Sequence, residues 1–247
     1  MRQGDGASRR IEGRWPPGSV LGSLDGESLQ RALRLGTRVR YAANRHLIRQ
    51  EDASTHVFVL LSGMVKATVL TRAGAEIVLA IRMGGDLVGE FAASDSRPRS
   101  ATVIACGTVD ARVVTQAEYL ACLRDDPRIA AAVSRSLISK VRAANMRRVD
   151  FADADVPIRV ARALHDLAVS YGEITGNQAV IRYLTQPELA TLVGAAEPST
   201  HKALRELRVR GIASTGYRQI TILDLKRLTE IAERLRGIAR WLPSTPS

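Results

Sequence analysis

Between Pro127 and Pro157 the chain contains neither glycine nor proline. Such a stretch can run as one unbroken helix, because the two residue types that most strongly end helices are missing from it. It also starts well: Asp125-Asp126 supply an acidic N-cap, and Pro127 suits the first helical position, where a missing N–H costs nothing. A helix from Pro127 to Asp153 would be about 40 Å long at about 1.5 Å per residue. Within it Ile129, Val133, Leu137, Val141 and Ala144 recur every three or four residues and form one apolar stripe. An amphipathic helix of this length needs a partner surface. Pairing with the same helix of a second copy is the economical solution; packing against the chain's own neighbouring domain is the alternative.

The sequence before this helix has a different period. From Leu47 to Val114 short apolar stretches are broken by glycine or charge: Val57 to Leu61, Val65/Ala67/Val69, Ile77 to Ile81, Ala101/Val103/Ala105 and Val109/Ala111/Val113. Alternation with period two, and turns at Ser62-Gly63, Ala73-Gly74, Gly84-Gly85 and Cys106-Gly107, predict many short strands. Closely spaced strands of this kind build a small β-barrel, jelly roll or sandwich. Residues 1–20, with several arginines and glycines and a Trp15-Pro16-Pro17-Gly18 stop, read as a flexible basic arm.

After the long helix a second one is expected from Ile158 to Tyr171, with Val160, Leu164 and Leu167 on one side. Thr185 and Glu188 then form a capping box that opens a helix carrying Leu189, Leu192 and Val193. Gly194-Ala195-Ala196 is a tight turn of small residues. Glu197-Pro198 starts the next helix, in which Thr200, Ala203, Leu204 and Leu207 fall on one face and Pro198, His201, Lys202 and Arg205 on the other. Gly211 ends it, and Ile212 to Thr215 and Gln219 to Ile222 flank Gly216-Tyr217-Arg218 as a hairpin. A helix, a short glycine turn, a helix with a polar front and a β-wing make a winged helix-turn-helix, a geometry that places its second helix in a major groove.

Charge supports a polyanionic partner. The 247 residues hold 36 Lys and Arg against 25 Asp and Glu, a formal charge of +11, which supplies the sequence-independent part of nucleic-acid binding and also suits acidic lipid surfaces. Double-stranded DNA is therefore the expected partner. The candidate contacts are Glu197, Ser199, Thr200, His201, Lys202 and Arg205 on the second helix, with Lys202 and Arg205 reaching base edges; Thr185, Gln186 and Arg218 are placed for phosphate. No apolar run approaches the roughly 18 residues that span a bilayer, and the first residues lack a signal-peptide core, so a cytoplasmic protein without a membrane partner is expected. Cys106 and Cys122 are too far apart for a CxxC pair and too few for an iron–sulfur or zinc site. Neither a nucleophile–base arrangement nor a phosphate loop appears, so no enzyme and no metal are expected.

The order of parts resembles the cyclic-AMP receptor protein (CRP/FNR) family of bacterial transcription regulators, over most of residues 30–223. The sharpest local match is Gly85-Asp86-Leu87-Val88-Gly89-Glu90-Phe91, followed by Arg99-Ser100-Ala101-Thr102-Val103, which looks like that family's phosphate-binding cassette. A glycine lets backbone N–H groups approach an anion; Arg99 offers a forked cation and Ser100 a hydroxyl for a cyclic phosphate; Glu90 can accept from a ribose hydroxyl. The ligand-binding set is thus Gly89, Glu90, Phe91, Arg99, Ser100 and Asn145. Where the family's best-known member offers a Thr-Ser pair to the nucleotide base, this chain has Ala144 and Asn145, so cyclic AMP is the first choice and cyclic GMP or a cyclic dinucleotide follow. Glu197, Pro198 and Lys202 replace the family's usual reading-helix pattern, so its best-known operator does not carry over.

The expected fold is α+β: an arm at 1–20, a cyclic-nucleotide-binding-like β-roll at 21–126, a dimerisation helix at 127–153, a winged helix-turn-helix at 154–223 and an accessory helix and tail at 224–247. In that helix Asp224 is the cap, and Leu225, Leu228, Ile231, Leu235 and Ile238 share one face that ends near Trp241. The resemblance implies a homodimeric regulator of a near-palindromic operator under cyclic-nucleotide control, with RNA polymerase as a further partner. The alternative is a constitutive DNA-binding regulator with a vestigial or different pocket.

Overall fold

A computed structural model describes residues 15–72 and 74–233. The chain divides into two compact units, and the division falls after Arg142, inside the long helix.

In the first unit a short 3-10 turn (Leu21–Ser23) and α1 (Gly26–Arg34) precede strands β1 (Thr37–Tyr41), β2 (His46–Ile48), β3 (Val57–Ser62), β4 (Met64–Leu70), β5 (Glu76–Met83) and β6 (Leu87–Val88). Helix α2 (Glu90–Asp95) interrupts before β7 (Thr102–Ala105) and β8 (Val109–Val114), and α3 (Gln116–Asp125) leads into α4 (Pro127–Asp153). The strands form two antiparallel sheets, ordered β1-β8-β3-β6 and β2-β7-β4-β5.

Strand β3 explains why Val57 to Leu61 is continuously apolar. Phe58 and Leu60 point into the core between the sheets, with Val65, Val103 and Ala111. Val57, Val59 and Leu61 point the other way, into a second core under Leu21, Ala32, Ile129 and Val133. A strand covered on both faces loses the alternation of a half-exposed one, and full burial of a side chain such as Phe58 contributes about 2 kcal/mol.

Two expectations change here. Residues 15–20, the end of the expected arm, pack on the β-domain: Trp15 Nε1 donates to Leu61 O at 2.9 Å, and Ser19 and Val20 are buried. Residues 1–14 lie outside the described part. Helix α4 keeps its expected limits, but its stripe divides: Ile129 and Val133 are buried in the β-domain's own core with Leu137 against them, whereas Val141 and Ala144 are exposed, as is Ile138. The start of the stripe thus takes the alternative partner, its own domain.

The second unit holds the end of α4 with α5 (Val156–Tyr171), β9 (Glu173–Thr175), β10 (Gln178–Arg182), α6 (Gln186–Leu192), α7 (Glu197–Val209), β11 (Ala213–Gly216), β12 (Gln219–Ile222) and α8 (Leu225–Glu233). The expected wing, β11 and β12, is half of a four-stranded antiparallel sheet, β11-β12-β10-β9. Ala179 and Ile181 of β10 face inward with Ile220 and Ile222 and support the helices. Asp224 caps α8, its Oδ1 accepting from Arg227 N at 3.0 Å and from Asn177 Nδ2 at 2.9 Å. Leu228 and Ala232 are buried; Leu235, Ile238 and Trp241 lie outside the described residues.

Candidate functional site

The ligand candidates gather where β6 turns into α2. Gly89, at φ +88°, is the N-cap of α2, and a Cβ built there would lie 2.7 Å from Arg99 Nη1. No side chain fits between that backbone and that guanidinium. Glycine is required for a conformation that L residues rarely adopt and for the close approach itself.

Arg99 is 2% exposed. Its Nη1 donates to Gly89 O at 2.8 Å, its Nη2 to His56 O at 2.6 Å and its Nε to Ser54 Oγ at 3.2 Å. These bonds use three of the guanidinium's five N–H donors and leave two. Burial lowers the Arg99 pKa, against the charges of Asp52 and Glu90, which raise it. His56 is pushed down by the same burial and then by Arg99. The sequence reading gave Arg99 to a phosphate; in the structure it also braces the cassette's turn, joining Gly89 to the segment before β3.

Glu90 is 6% exposed, and its Oε1 accepts from Lys140 Nζ at 2.6 Å. Lys140 also donates to Leu87 O at 2.9 Å. Sequence reasoning missed this lysine because it lies fifty residues along the chain, on α4; a lone lysine on an amphipathic helix carries no local signal. Together Lys140, Arg99 and Glu90 set two cations and one carboxylate around the start of α2, a donor and acceptor set suited to an anion that also bears hydroxyls. Phe91 and Ser100 are exposed beside them. Asn145 is exposed on α4, in the second unit. Both cysteines are buried, and among the described residues no cluster of His, Cys, Asp and Glu could hold a metal.

In the second unit the capping box is present in full: Thr185 Oγ1 accepts from Glu188 N at 3.3 Å, while Glu188 Oε2 accepts from Thr185 N at 3.0 Å. The Thr185 hydroxyl also donates to Glu188 Oε2 at 2.8 Å, so the cap already engages it. Gly194, at φ +60°, makes the turn to α7. On α7 Ala203, Leu204 and Leu207 are buried, while Glu197, Ser199, His201, Lys202 and Arg205 are exposed along the opposite side. Gln186 is half-buried at the start of α6. Thr200 is a correction: it is 0% exposed and its Oγ1 donates to Ala196 O at 3.3 Å, so it belongs to the packing face and cannot reach DNA. At the wing tip Arg218 takes φ +49° beside Tyr217, which is 93% exposed. Tyr217 is a surface residue that the sequence reading passed over.

Comparison with known proteins agrees with this division. Residues 38–126 match the model of the cyclic nucleotide-binding domain, and residues 158–231 that of the Crp-like helix-turn-helix domain. The chain is 28% identical over 195 residues to the CRP-like cAMP-activated global transcriptional regulator of Mycobacterium tuberculosis, covering 78% of this chain and 87% of that one. Among solved structures it resembles FixK2 from Bradyrhizobium japonicum, with a TM-score of 0.68 at 19% identity over 80% of this chain and 97% of that one. It also resembles the c-di-GMP responsive global regulator CLP of Xanthomonas campestris, with a TM-score of 0.65 at 22% identity over 80% and 99%. At these identities the two structures speak for the fold.

Proposed function

The chain belongs to the CRP/FNR family of DNA-binding transcription regulators, and from that premise we propose that it acts in the cytoplasm as a homodimer whose operator affinity is set by a cyclic nucleotide, cyclic AMP before cyclic GMP or a cyclic dinucleotide. The observation that carries this reading is the buried Arg99, bonded to Gly89 O with donors to spare, beside the Glu90–Lys140 pair. A cyclic phosphate takes the remaining Arg99 donors and Ser100, and a ribose hydroxyl bridges Glu90 and Lys140. Of the three proteins named above, the Mycobacterium tuberculosis regulator is cAMP-activated and CLP is c-di-GMP responsive, which is why the dinucleotide stays on the list.

The exposed remainder of the α4 stripe, Val141 and Ala144, with Ile138 and Val149 exposed on the same helix, supports pairing with the same helix of a second copy. Two copies present two α7 helices to half-sites about 34 Å apart, and RNA polymerase is the further partner. The protein carries out no catalysis; its output is occupancy of an operator.

A second reading, a constitutive regulator, is favoured by the same ion pair: Lys140 neutralises Glu90 and Arg99 satisfies three backbone and hydroxyl acceptors without any effector. Calorimetry with cyclic AMP, cyclic GMP and cyclic di-GMP separates the two, with Arg99→Ala as control. Heat from one nucleotide that vanishes in Arg99→Ala supports the sensor; no heat from any of the three supports the constitutive regulator.

A further inference from the structure

The last turns of α4 are fastened to the DNA-binding unit at two successive residues. Asp150, 7% exposed, pairs with Arg162 of α5, 5% exposed, and Arg162 Nε also donates to Ala232 O of α8 at 2.9 Å. A buried pair held this way is costly to break, because either partner left alone is an uncompensated charge. It ties α4, α5 and α8 together.

The next residue, Phe151, lies under the guanidinium of Arg159, with Cζ 5.6 Å from the ring centroid. Arg159 Nε is buried without a hydrogen-bond partner among the described residues, so the ring face is the partner it meets. The edge of the same ring approaches Gly194: a Cβ built there would lie 3.1 Å from Phe151 Cε1. Gly194 is the turn between α6 and α7. Phe151 is 49% exposed, so it lies on the rim of the hydrophobic interior, and the contact it makes is with this turn.

We propose that Phe151 is a positioning residue of the reading head. Anchored by the Asp150–Arg162 pair, it makes the end of the long helix part of the DNA-binding unit and props the turn from which α7 departs. A movement of α4 then reaches α7 through the Phe151–Gly194 contact, ahead of the Ala154-Asp155 link. The inference rests on α7 being the helix that reads DNA.

The test uses the full chain, as parent, Phe151→Ala and Phe151→Leu, with a duplex selected from a random pool by the parent. Amide exchange of residues 192–196 is expected to rise about tenfold or more in Phe151→Ala while residues 160–168 keep their protection. Affinity for the duplex is expected to fall about tenfold, with Phe151→Leu recovering most of both effects. Exchange at 192–196 unchanged in Phe151→Ala overturns the proposal. A uniform rise across α5 to α8 also overturns it, since the residue then only stabilises the domain. Arg205→Ala serves as the control for the reading on which the inference rests: it should weaken the duplex without altering exchange. If it leaves affinity intact, α7 is not the reading helix, and the exchange result still decides whether Phe151 holds the turn.

Discussion

Lys140 Nζ and Glu90 Oε1 lie 2.6 Å apart, joining the middle of a long helix to the first residue of α2 in a pair whose side chains are 13% and 7% exposed. So little water reaches the pair that its two halves depend on each other. It also means that anything binding at Glu90 shares that carboxylate with a cation from α4.

Removing one partner is expected to cost more than removing both. Lys140→Met leaves Glu90 buried and unpaired and should lower the unfolding free energy of the first unit by about 3 kcal/mol, whereas Glu90→Gln with Lys140→Met should recover most of it. Urea denaturation of the four chains in the cycle measures the coupling; additive losses would show the pair to be inert.

At Gly89 an added methyl meets Arg99 Nη1 and a positive φ together. Gly89→Ala is expected to destabilise the unit by about 1–3 kcal/mol and to lower affinity for any nucleotide that parental chains bind, read by thermal unfolding and calorimetry. A variant that binds and melts like the parent would remove Gly89 from the cassette.

The two faces of α7 should answer differently to substitution. Arg205→Ala, at an exposed position, is expected to cost about 1–3 kcal/mol of operator binding and to relax sequence preference at one or two base pairs. Thr200→Val keeps the buried shape and should leave operator affinity within about twofold, since a packing residue carries no base readout. Repeating selection from a random pool with each variant reads both outcomes.

His56 is expected to give stability a pH dependence in the acid range. Burial and Arg99 lower its pKa in the folded chain, so the unfolded chain binds this proton more readily. Its neutral form therefore supports the fold fully above about pH 6.5, and stability falls as pH drops below that value. His56→Asn should flatten the urea-midpoint profile between about pH 5 and 7; an unchanged slope would assign the dependence to other groups.

Much of the architecture was legible because its signals are local. The limits of α4 follow from Pro127 and the absence of breakers, and the Thr185–Glu188 box follows from a three-residue spacing. Strands β3 and β5 were legible as short apolar runs between turns, and β4, β7 and β8 from alternation. Strand β1 escaped because Arg38 and Arg40 dominate it, with only Val39 and Tyr41 facing the core. The hairpin of β9 and β10 escaped because the whole of β9 is exposed and carries no alternation. Thr200 was placed on the packing face by its spacing and also counted as a DNA contact by its chemistry; its burial decides for the first.

By itself, then, the sequence determined the limits of α4, the opening of α6 and α7, which segments alternate and where the reading head's turn must lie, since each depends on residues within about four positions of one another; α1, α2 and α3 went unread. Only the tertiary structure decided who meets whom. Arg99 braces Gly89 and His56, Lys140 reaches Glu90, the front of α4 packs on its own domain, and Phe151 abuts Gly194. These contacts join residues ten to fifty or more positions apart: those of the first unit follow from the order of strands and the burial of both faces of β3, and that of Phe151 from the pairing of α4 with α5 through Asp150 and Arg162, which no local period records.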